Sequence, residues 1–180
     1  FSLVALFSLG IMAAPAMAAV IYNGGTPNQG TAYPADTTDT SKAVAVPFTL
    51  TGGGAGVTDA HWWGVCDGNN NLCNSTNFLL SFYNDNAGLP GGLIGSSISV
   101  GSAGEALTGA MVAGSVPEYV YSAIFSSVNL NAGNYWLGIS RNGNMDGNIW
   151  FMETGTPNTG SHALFTNAWT SAPPDSLAFN

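Results

Sequence analysis

Charge is what this sequence lacks. Two residues are Lys or Arg and ten are Asp or Glu, so 7% of the chain is charged and the net charge is −8. An ordinary soluble domain carries about 25% charged residues. Two cations cannot neutralise a row of phosphates, which excludes nucleic-acid binding. A polybasic membrane patch falls for the same reason, and so does any mechanism that needs several Lys or Arg. The shortage is not a sign of disorder, because disorder pairs low hydrophobicity with high charge and here hydrophobic residues reach 46%.

The side chains of catalysis are scarce too. There is no GxSxG, no HExxH and no P-loop lysine. His61 and His162 are the two imidazoles. Ser161 adjoins His162, but neighbours on a strand point to opposite faces and cannot form a nucleophile–base pair. A glycosidase needs two carboxyls about 5–9.5 Å apart, and Glu105, Glu118 and Glu153 show no clustered pattern in the sequence. The expectation is a protein without catalytic activity, with no cofactor required. Two carboxyls facing each other in a cleft would reopen the question of a hydrolase.

Cysteine is also sparse: Cys66 and Cys73 flank the polar insert DGNNNL. A metal site would want more thiols or a His pair, and a redox pair would be tighter. In an exported protein the expected reading is a disulfide stapling a polar loop. Export is suggested by the start of the chain. Phe1 to Met12 is an uncharged apolar run, and Ala16-Met17-Ala18 fits a signal-peptidase site. Residues 1–18 therefore read as a signal peptide truncated at its start. Residues 19–180 read as one domain, long enough for a real core. Asp175–Asn180 has the look of a strand interrupted in mid-course.

What the chain does have is alternation. Val44, Val46, Phe48 and Leu50 alternate with smaller or polar residues, as do Phe78, Leu80 and Phe82. Tyr119, Tyr121, Ala123 and Phe125 do the same, and so do Tyr135, Leu137 and Ile139. Period two means half-buried strands. Turn signals fall between them at Asn84–Gly88, Pro90–Gly92, Asn131–Gly133 and Asn142-Gly143. Residues 24–41 read as a loop or an irregular edge segment. No stretch after residue 20 carries a helical stripe. The fold class expected is all-β: a single β-sandwich of about ten antiparallel strands, with a jelly roll the expected topology.

Several segments together resemble a family. They are VPFTL at 46–50, VTDAHWWG at 57–64, FYNDNAGLPGGLIG at 82–95, GNYWLGIS at 133–140 and DSLAFN at 175–180. The arrangement is similar to exported bacterial β-sandwich proteins of the PEP-CTERM type, in which a Pro-Glu-Pro sorting signal, an apolar span and a basic tail follow such a terminal strand. The resemblance implies export, association with the cell surface or exopolysaccharide, contact with sorting machinery if such a signal follows, and a non-enzymatic role. It supplies no catalytic residues.

Two kinds of site remain. Asn142, Asn144, Asp146, Asn148 and Glu153 approach a calcium-loop spacing, with Gly147 at the tight turn. Against it, the flanks read as strands, and Glu153 then lies too far from Asp146 to share an ion. The competing reading is a β-hairpin whose Asn-Gly and Asp-Gly residues tolerate positive φ. The polar runs at Asp67–Asn71 and Asn84–Asn86 are expected to be Asx turns, and a structural Ca²⁺ is the possible cofactor. The aromatics Trp62, Trp63, Trp150 and Trp169 are candidates for stacking on a glycan, with core filling as the competing use of each. Trp62 and Trp63 must face opposite sides of their strand. Trp136, Tyr121 and Tyr135 are further candidates. The functional expectation is a structural or adhesive module of the cell surface or extracellular matrix, the alternative a carbohydrate-binding module.

Overall fold

The computed structural model describes residues 25–37, 41–53, 55–67, 77–101, 104–142, 148–156, 161–172 and 177–178. They form twelve strands: β1 (Thr26–Pro34), β2 (Ala43–Leu50), β3 (Ala55–Asp67), β4 (Phe78–Asp85), β5 (Pro90–Leu93), β6 (Ile98–Val100), β7 (Gly104–Val112), β8 (Val116–Leu130), β9 (Gly133–Arg141), β10 (Ile149–Thr156), β11 (Ala163–Phe165) and β12 (Trp169–Ser171). Five make one sheet in the order β1-β10-β3-β8-β7. The other sheet runs β12-β11-β2-β9-β4-β5, with β6 also on β4. All the named pairings are antiparallel.

The chain crosses from sheet to sheet, so that β1-β10-β3-β8 faces β2-β9-β4-β5. This is the strand order of a jelly roll, two Greek keys wrapped face to face. The β7 strand and the β11–β12 hairpin extend the two sheets at their edges. The count is twelve strands rather than about ten, the additions being short edge pieces. Residues 24–41 supply β1, an edge strand whose register slips between Pro27 and Ala32. Pro90-Gly91-Gly92 lies in β5 rather than in a turn. Pro90 is that strand's first residue, on an edge, where a missing N–H costs no ladder bond.

The alternation explains the core. Val44, Val46, Phe48 and Leu50 turn inward from β2, and Phe78, Leu80 and Phe82 from β4. Leu137 and Ile139 do so from β9, and Tyr121 and Ala123 from β8. At the centre Trp62 stacks on Tyr121, with centroids 5.9 Å apart and planes 11° apart. Phe78 meets the edges or faces of Trp62, Tyr121 and Trp150 at 4.9–5.1 Å. These rings join the two sheets, and each large side chain buried this way contributes roughly 1.5–3 kcal/mol. Trp62 and Trp150 are both 0% exposed. As glycan contacts they are corrected: neither presents any ring to solvent.

One cation lies in the interior. Arg141 and Asp36 are both fully buried, and Arg141 Nη1 donates to Asp36 Oδ2 at 2.9 Å. The same Nη1 donates to the carbonyl of Asn148 at 2.6 Å. Around them Arg141 N–H donates to the Ala35 carbonyl, and Thr37 N–H donates to the Arg141 carbonyl. The pair ties the start of the β1–β2 connection to the ends of β9 and β10.

Candidate functional site

The second apolar cluster of the molecule lies on the outer face of the seven-stranded sheet. Its floor is Ala45, Trp136 and Ala163, all buried, and Tyr83, Leu89 and Trp169 pack on it half-exposed. Register explains the floor. Ala163 lies opposite Ala45, Ala45 opposite Gly138, and Gly138 opposite Ser81, giving a row of small residues across four strands. A Cβ on Gly138 would stand 2.9 Å from the Tyr83 ring, so glycine is what lets that ring lie against β9. The β11–β12 hairpin brings Trp169 to Tyr83, centroids 5.4 Å apart at 73°, and to Phe165 at 5.2 Å.

Polar groups border these rings. Trp136 Nε1 donates to Asp85 Oδ1 at 2.8 Å. Thr49 Oγ1 donates to Asn134 Oδ1 at 2.9 Å two pairs further along β2 and β9. Asp85 Oδ2 accepts from Gly88 N–H at 3.3 Å, an Asx-type contact in the β4–β5 turn. The arrangement offers two half-exposed aromatic rings edge to face, with a carboxylate and an amide beside them. It can hold an apolar ring face while its rim exchanges hydrogen bonds with hydroxyls.

The other expected residues are distributed differently. Trp63 is half-buried on the outer face of the opposite sheet, and Trp62 behind it is core, so the adjacent pair does split between faces. Trp136 is 3% exposed and serves as floor; Tyr121 is core. Tyr83 was missed as a candidate, although its phase, opposite to Phe82, pointed it outward. Asn142 is exposed, and Asn148 is buried with its carbonyl engaged by Arg141. Asn144 and Asp146 lie outside the described residues. Glu153 stands five residues from Asn148 along an extended strand, roughly 16 Å at about 3.3 Å per residue, so it is not a ligand of that loop. Its carboxyl turns to Gln29 and Glu118 instead. Among the described residues no group of three or more His, Cys, Asp or Glu is placed to hold a metal ion. Cys66, next to last in β3, is buried, and its expected partner Cys73 lies outside the described residues. Asn69 and Asn71 lie outside them as well.

The structure does bring two carboxyls together, Glu118 and Glu153, but both are sealed from solvent rather than facing a cleft. A groove of about 500 Å³ lies elsewhere, between Ile98–Gly101 and Ser122–Ser126, and no titratable side chain lines it. His61 is exposed on β3 with Asp59 at 3.6 Å, while His162 is buried against the Tyr33 ring. No protein family, no curated protein and no solved structure matches this chain.

Proposed function

We propose that this chain is an exported, non-catalytic adhesive module of the bacterial cell surface or extracellular matrix. Its contact face is the outer side of the seven-stranded sheet, and its partner class is a neutral surface glycan such as an exopolysaccharide. The observation that carries this reading is the half-exposed Tyr83–Trp169 pair on its floor of Ala45, Gly138 and Ala163, bordered by Asp85 and Asn134. Sugar rings offer apolar C–H faces and many hydroxyls, which an aromatic pair with hydrogen-bonding groups at its rim suits. Export and surface sorting rest on the leader-like start and on the family resemblance. A Cys66–Cys73 disulfide and a structural Ca²⁺ in one of the polar loops belong to the same proposal. Reductive alkylation of the intact protein tests the first, and a melting scan with and without chelator tests the second.

The glycan reading is tested by affinity electrophoresis through neutral polysaccharides. Trp169→Ala and Tyr83→Ala each weaken retention by about tenfold, equivalent to about 1.4 kcal/mol. Trp63→Ala, on the opposite sheet, leaves retention unchanged. Equal losses for all three variants, or no retention of the parent chain by any neutral glycan, sink the proposal.

A further inference from the structure

The five-stranded sheet contains a second device, independent of the glycan face. Glu118 on β8 and Glu153 on β10 come from strands separated by β3, yet they are 1% and 0% exposed. Both point away from the core, out of phase with Tyr121 and Met152. Register puts the two on one outer face, Glu118 opposite Val65, Val65 opposite Phe151, and Glu153 two residues on from Phe151, and Oε2 of each is buried with no hydrogen-bond partner among the described residues. Two carboxyls facing each other away from water cannot both ionise at low cost, so Glu153 keeps its proton above the usual carboxylate range.

Gln29 connects this pair to the sheet's edges. Its N–H donates to Glu153 Oε1, and its carbonyl accepts from the Ala113 N–H at 2.9 Å. Gln29 lies in the bulge of β1 and Ala113 in the turn between β7 and β8, so one residue of β1 links the two outer strands of the sheet. Both residues hold left-handed conformations without being glycine, with φ of 59° and 50°. Such conformations cost free energy and persist where the surroundings enforce them.

We propose that Glu153, packed against Glu118, is a proton-held latch: while Glu153 holds its proton it keeps the edges of the five-stranded sheet joined through Gln29, and its ionisation beside Glu118 opens that end. Few other charges bear on it. On the same face β3 carries the exposed Asp67 and the exposed Asp59–His61 pair. On β7, Glu105 lies opposite Tyr121, on the other face. The described parts of β1 and Leu177–Ala178 bring no charged side chain. Burial, then the hydrogen bond to Glu118, then its charge push the Glu153 carboxyl up to about 8, against the lowering effect of the Gln29 N–H. An acid raised in the folded state contributes stability that is complete below its unfolded value of 4.5. That stability is lost as pH rises towards about 8, where the folded carboxyl ionises in turn.

The test is thermal unfolding and amide exchange between about pH 5 and about pH 9, on the parent chain, Glu153→Gln and Glu118→Gln. In the parent the unfolding constant rises by up to about tenfold per pH unit up to about pH 8 and then levels off. The Ala113 amide, corrected for intrinsic exchange, loses about tenfold or more of its protection above that point. Glu153→Gln flattens both dependences. If that variant fails to fold, Glu118→Gln removes the charge beside Glu153 but not its burial, and must move the levelling-off to lower pH. Parallel pH profiles for parent and variant overturn the latch. So does a rise in Tm with millimolar Ca²⁺ in the parent but not in the variants, which would make the pair a cation site.

Discussion

Arg141 is one of the two cations in the chain, and the fold spends it entirely inside. With Nη1 on both Asp36 and the Asn148 carbonyl, it neutralises Asp36 and fixes where β9 ends and β10 begins. Removing one partner leaves the other charge buried and uncompensated. Arg141→Met should therefore cost about 3–5 kcal/mol, or roughly 10 °C in Tm for a chain of this size. The double variant Asp36→Leu/Arg141→Met should recover most of that loss, because a buried pair replaced by apolar groups of similar volume is close to neutral. Differential scanning calorimetry of parent, single and double variants reads both outcomes. An unrecovered double variant would mean that the backbone contacts around Arg141, not its charge, hold this region. The partners lie 105 residues apart. No local spacing announces such a pair, so the sequence showed only two distant cations.

At the scale of elements, the β4–β5 hairpin shows what was legible and why. Asn84–Gly88 reads as a turn, and the structure closes it with reciprocal backbone bonds between Asn86 and Leu89, at 2.8 and 3.2 Å. Its central residues, Ala87 and Gly88, have φ of 52° and 84°. That is the paired left-handed turn whose twist matches antiparallel strands. Gly88 adopts it freely, whereas Ala87 pays for its Cβ. Ala87→Gly should raise stability by about 1 kcal/mol, read as an upward shift of the urea midpoint at unchanged slope. Regular strands were legible for the same reason as the turn: alternation in β2, β4, β8 and β9 reports local geometry directly. Bulged strands were not. The register of β1 slips between Pro27 and Ala32, and the alternation of β8 holds only up to Ile124, beyond which its register against β3 slips. A slip swaps which residues face inward, so no single period describes such a strand. The carboxyl pair was hidden likewise, because Glu118 and Glu153 meet across an intervening strand.

Across the whole molecule, the charge shortage becomes a property of its surface. Arg141 and Asp36 neutralise each other inside, and Glu118 and Glu153 are sealed in the curled sheet, so the surface is left with Lys42 as its one Lys or Arg. Composition gave that scarcity of charge but not the position of the contact face. Five tryptophans look alike in sequence, and only the packing separates buried Trp62, Trp136 and Trp150 from half-exposed Trp63 and Trp169. Among the described residues the candidate face has one carboxylate, Asp85, already engaged by Trp136 and Gly88. Recognition there must run through ring faces and neutral hydrogen bonds, neither of which is screened by salt as exposed charges are. Retention on a neutral glycan should therefore change less than about twofold between low salt and about 0.5 M NaCl. A charge-led contact loses affinity linearly in the logarithm of salt concentration, as phosphate-binding surfaces do. A steep salt dependence, with Trp169→Ala inert, would move the contact to the acidic surface and away from the aromatic face. A flat profile with Trp169→Ala weakened ties adhesion to the side chains that replace charge in this chain.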